Sequence, residues 1–126
     1  MSSKFFLIVD DDPNSATLYK EIILGLDEKA TVIVANDGID GTRKLSNQKF
    51  DVVITDLSMP RKNGVALIEE IIDKKYLPKR NIIVVSGAMD AENVQRFAEL
   101  GVKNVCTKPI NVENLETIID RLNSNS

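Results

Sequence analysis

The stretch that decides the fold is FFLIVDDDPNS, Phe5–Ser15. Five apolar residues, Phe5 to Val9, run straight into three aspartates, Asp10, Asp11 and Asp12. An apolar run without alternation reads as a strand covered on both faces, the habit of parallel sheets flanked by helices. Three carboxylates crowded at its end repel one another, so an arrangement that keeps them calls for a positive partner. Pro13 suits the first turn of a helix, with Asp12 as its N-cap.

The same pattern recurs along the chain. Thr31–Ala35, Asp51–Thr55, Asn81–Val85 and Asn104–Thr107 are further short β-rich runs. Helical patterns separate them. Pro13–Leu26 places Leu18, Ile22 and Leu26 one turn apart, and 64–75 carries Leu67, Ile68, Ile71 and Ile72 on one face. A helix from Asp90 or Ala91 to Leu100 is closed by Gly101, a C′ residue. The last, Val112–Leu122, carries Leu115, Ile118, Ile119 and Leu122 behind an N-cap at Asn111. The pattern over 37–47 is the weakest helix, since Gly38 and Gly41 fall inside it. Five strand–helix units predict a single α/β domain, a three-layer, doubly wound, five-stranded parallel sheet with right-handed crossovers. The domain is expected over residues 1–126, with its core at 4–122 and a frayed tail or linker start at 123–126.

Composition narrows the function. The 126 residues fit one domain, and 43% hydrophobic content permits a full core. A net charge of −3 without a basic stripe argues against direct nucleic-acid binding. The longest apolar runs are about five residues, too short to span a bilayer, and the first four residues do not read as a signal peptide. A single cysteine, Cys106, excludes an internal disulfide, suits a reducing cytoplasm and reads as a buried apolar filler. There is no histidine, so any metal must be held by oxygens, which points to Mg²⁺ or Ca²⁺.

Four of the five strand ends deliver a polar side chain to one edge: Asp10–Asp12, then Asp56 in VVITDLSMP, Ser86 in IIVVSGAMD and Lys108 in VCTKPI. Each alone has an ordinary explanation, as a cap, a turn or a surface charge. Together they lie where polar ligands gather in open α/β sheets. Carboxylates there make an oxygen cage for a divalent cation that also accepts phosphate oxygens. A lysine and a hydroxyl beside it stabilise a transferring phosphoryl group, so the edge reads as a place where a carboxylate accepts one.

These residues carry a family likeness. From Lys4 to Leu122 the chain resembles the receiver domains of two-component response regulators, the CheY-like group, through VDD, DLSMP followed by Gly64, the serine after strand four, and KP. The resemblance implies a flavodoxin-like sheet of order 2-1-3-4-5. It implies that Asp56 is the phosphoacceptor, that Asp11 ligates Mg²⁺ directly, with Mn²⁺ as a substitute, and that Asp10 acts through a metal-bound water. The backbone carbonyl of Ser58 would be a third protein ligand beside Asp56 itself. Ser86 would hydrogen-bond the phosphoryl group and Lys108 would pair with it, ahead of a cis peptide to Pro109. Met59 and Pro60 would shape the loop and Gly64 the turn after it.

The implied partners are a sensor histidine kinase or histidine phosphotransfer protein and a downstream protein target or fused output domain. No direct contact with nucleic acid or membrane is expected, and a cytoplasmic location is implied. A homodimer through helix 4, strand 5 and helix 5 is one option, on a face carrying Val94, Phe97, Asn104, Glu113 and Arg121. The module would be a signalling domain, not an enzyme.

The chain departs from the family pattern in three respects. Val105 stands where members often carry Tyr or Phe, so a rotating aromatic reporter is absent. Gly41 and Thr42 replace Ala and Leu, which predicts a less stable second helix. Ser58 and Ala88 are both small beside the site. Two other readings compete. In an Mg²⁺-dependent phosphohydrolase of the haloacid dehalogenase type, Asp10 would be the nucleophile, but no acid pair follows Lys108 at a strand end. In a receiver-like interaction module, phosphorylation would not occur.

Overall fold

A computed structural model of the chain describes residues 4–57, 64–87 and 91–124. Strands and helices alternate: β1 (Phe5–Val9), α1 (Pro13–Leu26), β2 (Thr31–Ala35), α2 (Gly38–Asn47), β3 (Val52–Asp56), α3 (Gly64–Lys74), β4 (Ile82–Ser86), α4 (Ala91–Leu100), β5 (Asn104–Thr107) and α5 (Val112–Ser124). A short 3₁₀ turn, Lys79–Asn81, precedes β4. All strand pairings are parallel, in the order β2-β1-β3-β4-β5. This is the doubly wound sheet expected from the sequence and the order implied by the resemblance.

Alternate strand residues feed two cores, because successive side chains point to opposite faces. Phe6, Ile8, Ile54, Ile83 and Val85 pack with α1 and α5. Leu7, Val9, Val53, Ile82 and Val84 pack with α2, α3 and α4. Each such side chain contributes about 1.5–3 kcal/mol when fully buried, so the central strands are anchored from both sides. That rigidity fixes the positions of the residues at their ends.

Two strands begin and end one residue later than the sequence pattern predicts. Asp51 stays outside β3, and its carboxylate accepts the Phe5 N–H at 2.8 Å. Asn81 belongs to the 3₁₀ turn, its N–H bonded to the Pro78 carbonyl at 2.9 Å. Asp56 and Ser86 are therefore the last residues of their strands, in register with Val85 and Thr107, and not loop residues. On α1 the buried stripe is Ala16, Tyr19, Ile22 and Ile23, whereas Leu18 and Leu26 stay exposed. An i, i+4 row drifts around a 3.6-residue helix by about 40° per step, which carries its two ends away from the core. α5 continues through Asn123 to Ser124, whose Oγ donates to the Asp120 carbonyl at 3.0 Å, so part of the expected tail is helical.

The helix ends follow local chemistry. Asp12 caps α1 by accepting the Asn14 N–H at 3.0 Å, and Asn111 accepts the Asn114 N–H at 3.0 Å ahead of α5. Gly101, at φ 81°, ends α4 with bonds from the Val102 N–H to Phe97 and from its own N–H to Ala98. In α2 a Cβ on Gly41 would come within 3.1 Å of Val9 Cγ2. The glycine that weakens the helix by propensity is what lets it lie close against β1.

Candidate functional site

The carboxyl ends of β1 and β3 lie side by side, Val9 paired with Thr55, so the residues that follow Val9 and Thr55 meet. One carboxylate oxygen from each of Asp10, Asp11 and Asp56 falls within 4.8 Å of the others. Asp10 is 2% exposed and Asp56 7%, while Asp11 opens to solvent. Asp10 Oδ1 accepts the Asp12 N–H at 2.9 Å. Its other oxygen, Oδ2, is buried and has no hydrogen-bond partner among the described residues. From just beyond β5, Lys108 Nζ reaches Asp56 Oδ2 at 3.1 Å.

Burial pushes the Asp10 carboxyl above its ordinary range, and the charges of Asp56 and Asp11 act in the same direction, against the Asp12 N–H and Lys108. Burial alone would lower the Lys108 ammonium. The hydrogen bond and charge of Asp56, with Asp10 behind it, outweigh that and hold it raised, so it is a fixed cation. Among the described residues three carboxylates face one ammonium, an excess of two negative charges. An oxygen-only donor set, a buried carboxylate oxygen lacking a partner, and an excess charge of this size fit a hard divalent cation. The single cysteine is buried in β5, where burial raises its thiol, so sulfur does not enter the donor set.

The remaining predicted residues fall as follows. Ser86 is buried at the end of β4, and its carbonyl accepts the Lys108 N–H at 2.9 Å, which ties the β4 and β5 ends together. The Lys108–Pro109 peptide is cis. Gly64 closes the turn after β3 through its N–H to the Leu57 carbonyl at 2.9 Å, and a Cβ there would sit 2.2 Å from the Asp56 carbonyl oxygen. Ser58, Met59, Pro60, Ala88, Asp90 and the side chain of Val94 lie outside the described residues. Tyr19 was not signalled by the strand-end pattern. It is 2% exposed, and its phenol is raised by burial and by Asp10, with Lys108, Ser15 and Asp56 also acting on it. Its spacing of three and four from Ala16 and Ile23 is the signal that places it on the inward face of α1.

The chain matches the response regulator receiver domain family over residues 6–120. It belongs to that family. This receiver is 31% identical over 114 residues to the probable chemotaxis protein CheY of Rhizobium etli, covering 90% of this chain and 88% of that one. It is 27% identical over 115 residues to the probable C4-dicarboxylate response regulator DctR of Bacillus subtilis, covering 91% of this chain and 50% of the relative. It thus spans most of the first and about half of the second. Among solved structures, the signal receiver domain of a DNA binding response regulator from Colwellia psychrerythraea superposes with a TM-score of 0.84 at 29% identity, covering 97% of this chain and 99% of that one. The receiver is a two-component signalling domain of the CheY and response-regulator type, with the phosphoacceptor role of that class. Val105 sits half-buried in β5, paired with Val84. Among the described residues no helix is long and apolar enough to cross a membrane.

Proposed function

We propose that Asp56 is the phosphoacceptor of this receiver, that Lys108 and Ser86 assist the transfer, and that Asp10, Asp11 and Asp56, with the Ser58 carbonyl, hold Mg²⁺ or Mn²⁺. The observation that carries the reading is the 3.1 Å contact of Lys108 Nζ with Asp56 Oδ2 at the edge of a three-carboxylate cluster. An oxygen of Asp56 attacks the phosphorus of a phosphohistidine on a sensor kinase or phosphotransfer protein. The Oδ–P bond forms as the P–N bond breaks, and the electron pair leaves on the imidazole nitrogen. Lys108 stays paired with the acyl phosphate and offsets its added charge. Ser86 supplies a hydroxyl to a phosphoryl oxygen. The cation, when bound, neutralises phosphoryl charge and positions the group.

The chain therefore acts as a signalling domain on its own carboxylate and not on a diffusible substrate. Its output passes to a downstream protein or fused output domain through α4, β5 and α5, without an aromatic at Val105 to report the switch. The phosphohydrolase reading needs Asp10 as the nucleophile. Asp10 lies deeper than Asp56 with one oxygen held by the Asp12 N–H, and it is Asp56 that Lys108 Nζ reaches. Incubation with a small acyl phosphate and Mg²⁺ tests the reading. One phosphoryl group is expected on the wild type and none on Asp56→Asn, whereas Asp10→Asn is labelled slowly. Labelling of Asp56→Asn, with loss in Asp10→Asn, would overturn it.

A further inference from the structure

At the opposite end of the sheet from the carboxylates, a basic residue and an asparagine lead into each of β4 and β5: Arg80-Asn81 just before β4, and Lys103-Asn104, whose asparagine is the first residue of β5. The fold brings these two stretches to the last turns of α5, around a groove of ≈ 760 Å³. Its lining includes Lys79, Arg80, Lys103 and Arg121 and no acidic side chain among the described residues. None of the four cations forms an ion pair there among the described residues, in a chain whose net charge is −3.

The cations are not loose. Arg121 Nη2 donates to Asn104 Oδ1 at 3.0 Å, and Asn104 Nδ2 donates to the Arg80 carbonyl at 2.8 Å, so one asparagine orients the Arg121 guanidinium and ties β5 to the turn before β4. Lys79 lies along Gly101, where a Cβ would meet its Cδ at 3.2 Å, at the C-terminal end of α4. The helix dipole there offsets part of the Lys79 charge, as the end of α5 does for Arg121, and the remaining positive charge is left to an outside anion.

We infer that this groove binds a small polyphosphate anion, free or as the phosphate chain of a nucleotide. Two guanidiniums offer planar forks that match phosphate oxygens, and two ammoniums add point charges around them. The volume is that of a small-molecule pocket, which runs about 300–1,000 Å³. A long nucleic acid would also meet the chain's overall negative charge. A compact anion feels mainly the charges within about 8 Å at physiological salt.

Amide chemical shifts of the full chain in EDTA, titrated with inorganic triphosphate and separately with ATP, test this. Saturable shifts are expected at Arg80, Lys103 and Asn104. Arg80→Gln and Arg121→Gln each weaken binding about ten-fold or more, and Lys20→Gln, on exposed α1, leaves it unchanged. Equal affinity for both ligands assigns the phosphate chain alone as the ligand, and tighter ATP binding assigns the nucleotide. Absence of saturable shifts at millimolar triphosphate would overturn the inference. So would equal weakening by Lys20→Gln, or capture of an acidic peptide at these amides when triphosphate is not bound.

Discussion

Asp10→Asn separates the role of the acidic cluster from its effect on folding. Asp10 Oδ2 is buried without a hydrogen-bond partner among the described residues, beside two more carboxylates. Asparagine keeps an oxygen to accept the Asp12 N–H, and it replaces the orphaned oxygen with a donor that Asp11 or Asp56 can accept. A buried unsatisfied group costs about 1–3 kcal/mol, more when charged, so the variant is expected to gain about 2 kcal/mol. For a domain of this size that raises Tm by roughly 5–10 °C.

The sign with pH follows from the raised Asp10 pKa. The folded state holds this proton more tightly than the unfolded chain does. Wild-type stability at this site is therefore unpenalised below the ordinary aspartate value, and it falls as pH rises through the raised value. The gap between variant and wild type should be open at pH 7 and close toward pH 4. Mg²⁺ reverses the order, because it stabilises the wild type by mass action, about 2.7 kcal/mol at 100 times Kd, and the variant less. Thermal melts by circular dichroism in EDTA and in Mg²⁺ at three pH values measure all of this. An Asp10→Asn variant that melts at or below the wild type in EDTA at pH 7, or a gap independent of pH, would rule out this cost at the buried Asp10 oxygen.

Gly64→Ala places a Cβ 2.2 Å from the Asp56 carbonyl oxygen and 2.8 Å from Leu57 Cα, both backbone atoms; urea titration should show a loss of about 2 kcal/mol or more, and no loss would mean the turn is not close-packed. Lys75→Gly relieves a left-handed residue, φ 55°, at the C-terminal end of α3, and should add about 1 kcal/mol in the same assay. Lys108→Gln should slow self-phosphorylation on the order of 10²-fold, while calorimetry shows tighter Mg²⁺ binding because a competing cation is gone.

The sequence displayed the sheet because each buried strand is an uninterrupted apolar run, and it displayed the site because carboxylates, serine and lysine recur just beyond those runs. What it could not show was registration. Asp56 and Ser86 turned out to close their strands, while Asp51 serves as a side-chain acceptor at the amino ends of β1 and β3 and Asn81 sits in a 3₁₀ turn. Gly41 looked like a defect in α2, but its reason lies in Val9, on another element. Tyr19 was hidden because a tyrosine on a helix carries no mark of what lies above it. The crowding of aspartates was legible as repulsion, yet the part of it that Lys108 offsets depends on a contact made 52 positions along the chain.

On the proposed function, carboxylates at the ends of β1 and β3, Asp56 among them, enclose one divalent cation. Mn²⁺, which accepts the same oxygen ligands, broadens amide signals of residues near it. Substoichiometric Mn²⁺ added to the labelled protein should erase Asp10, Asp11, Asp56 and Leu57 first. Lys103, Asn104 and Arg121, at the far end of the sheet, should be spared, and Asp11→Asn should abolish the pattern. Broadening spread evenly over the surface, or centred on the acids of α3 such as Glu69 and Asp73, would contradict it.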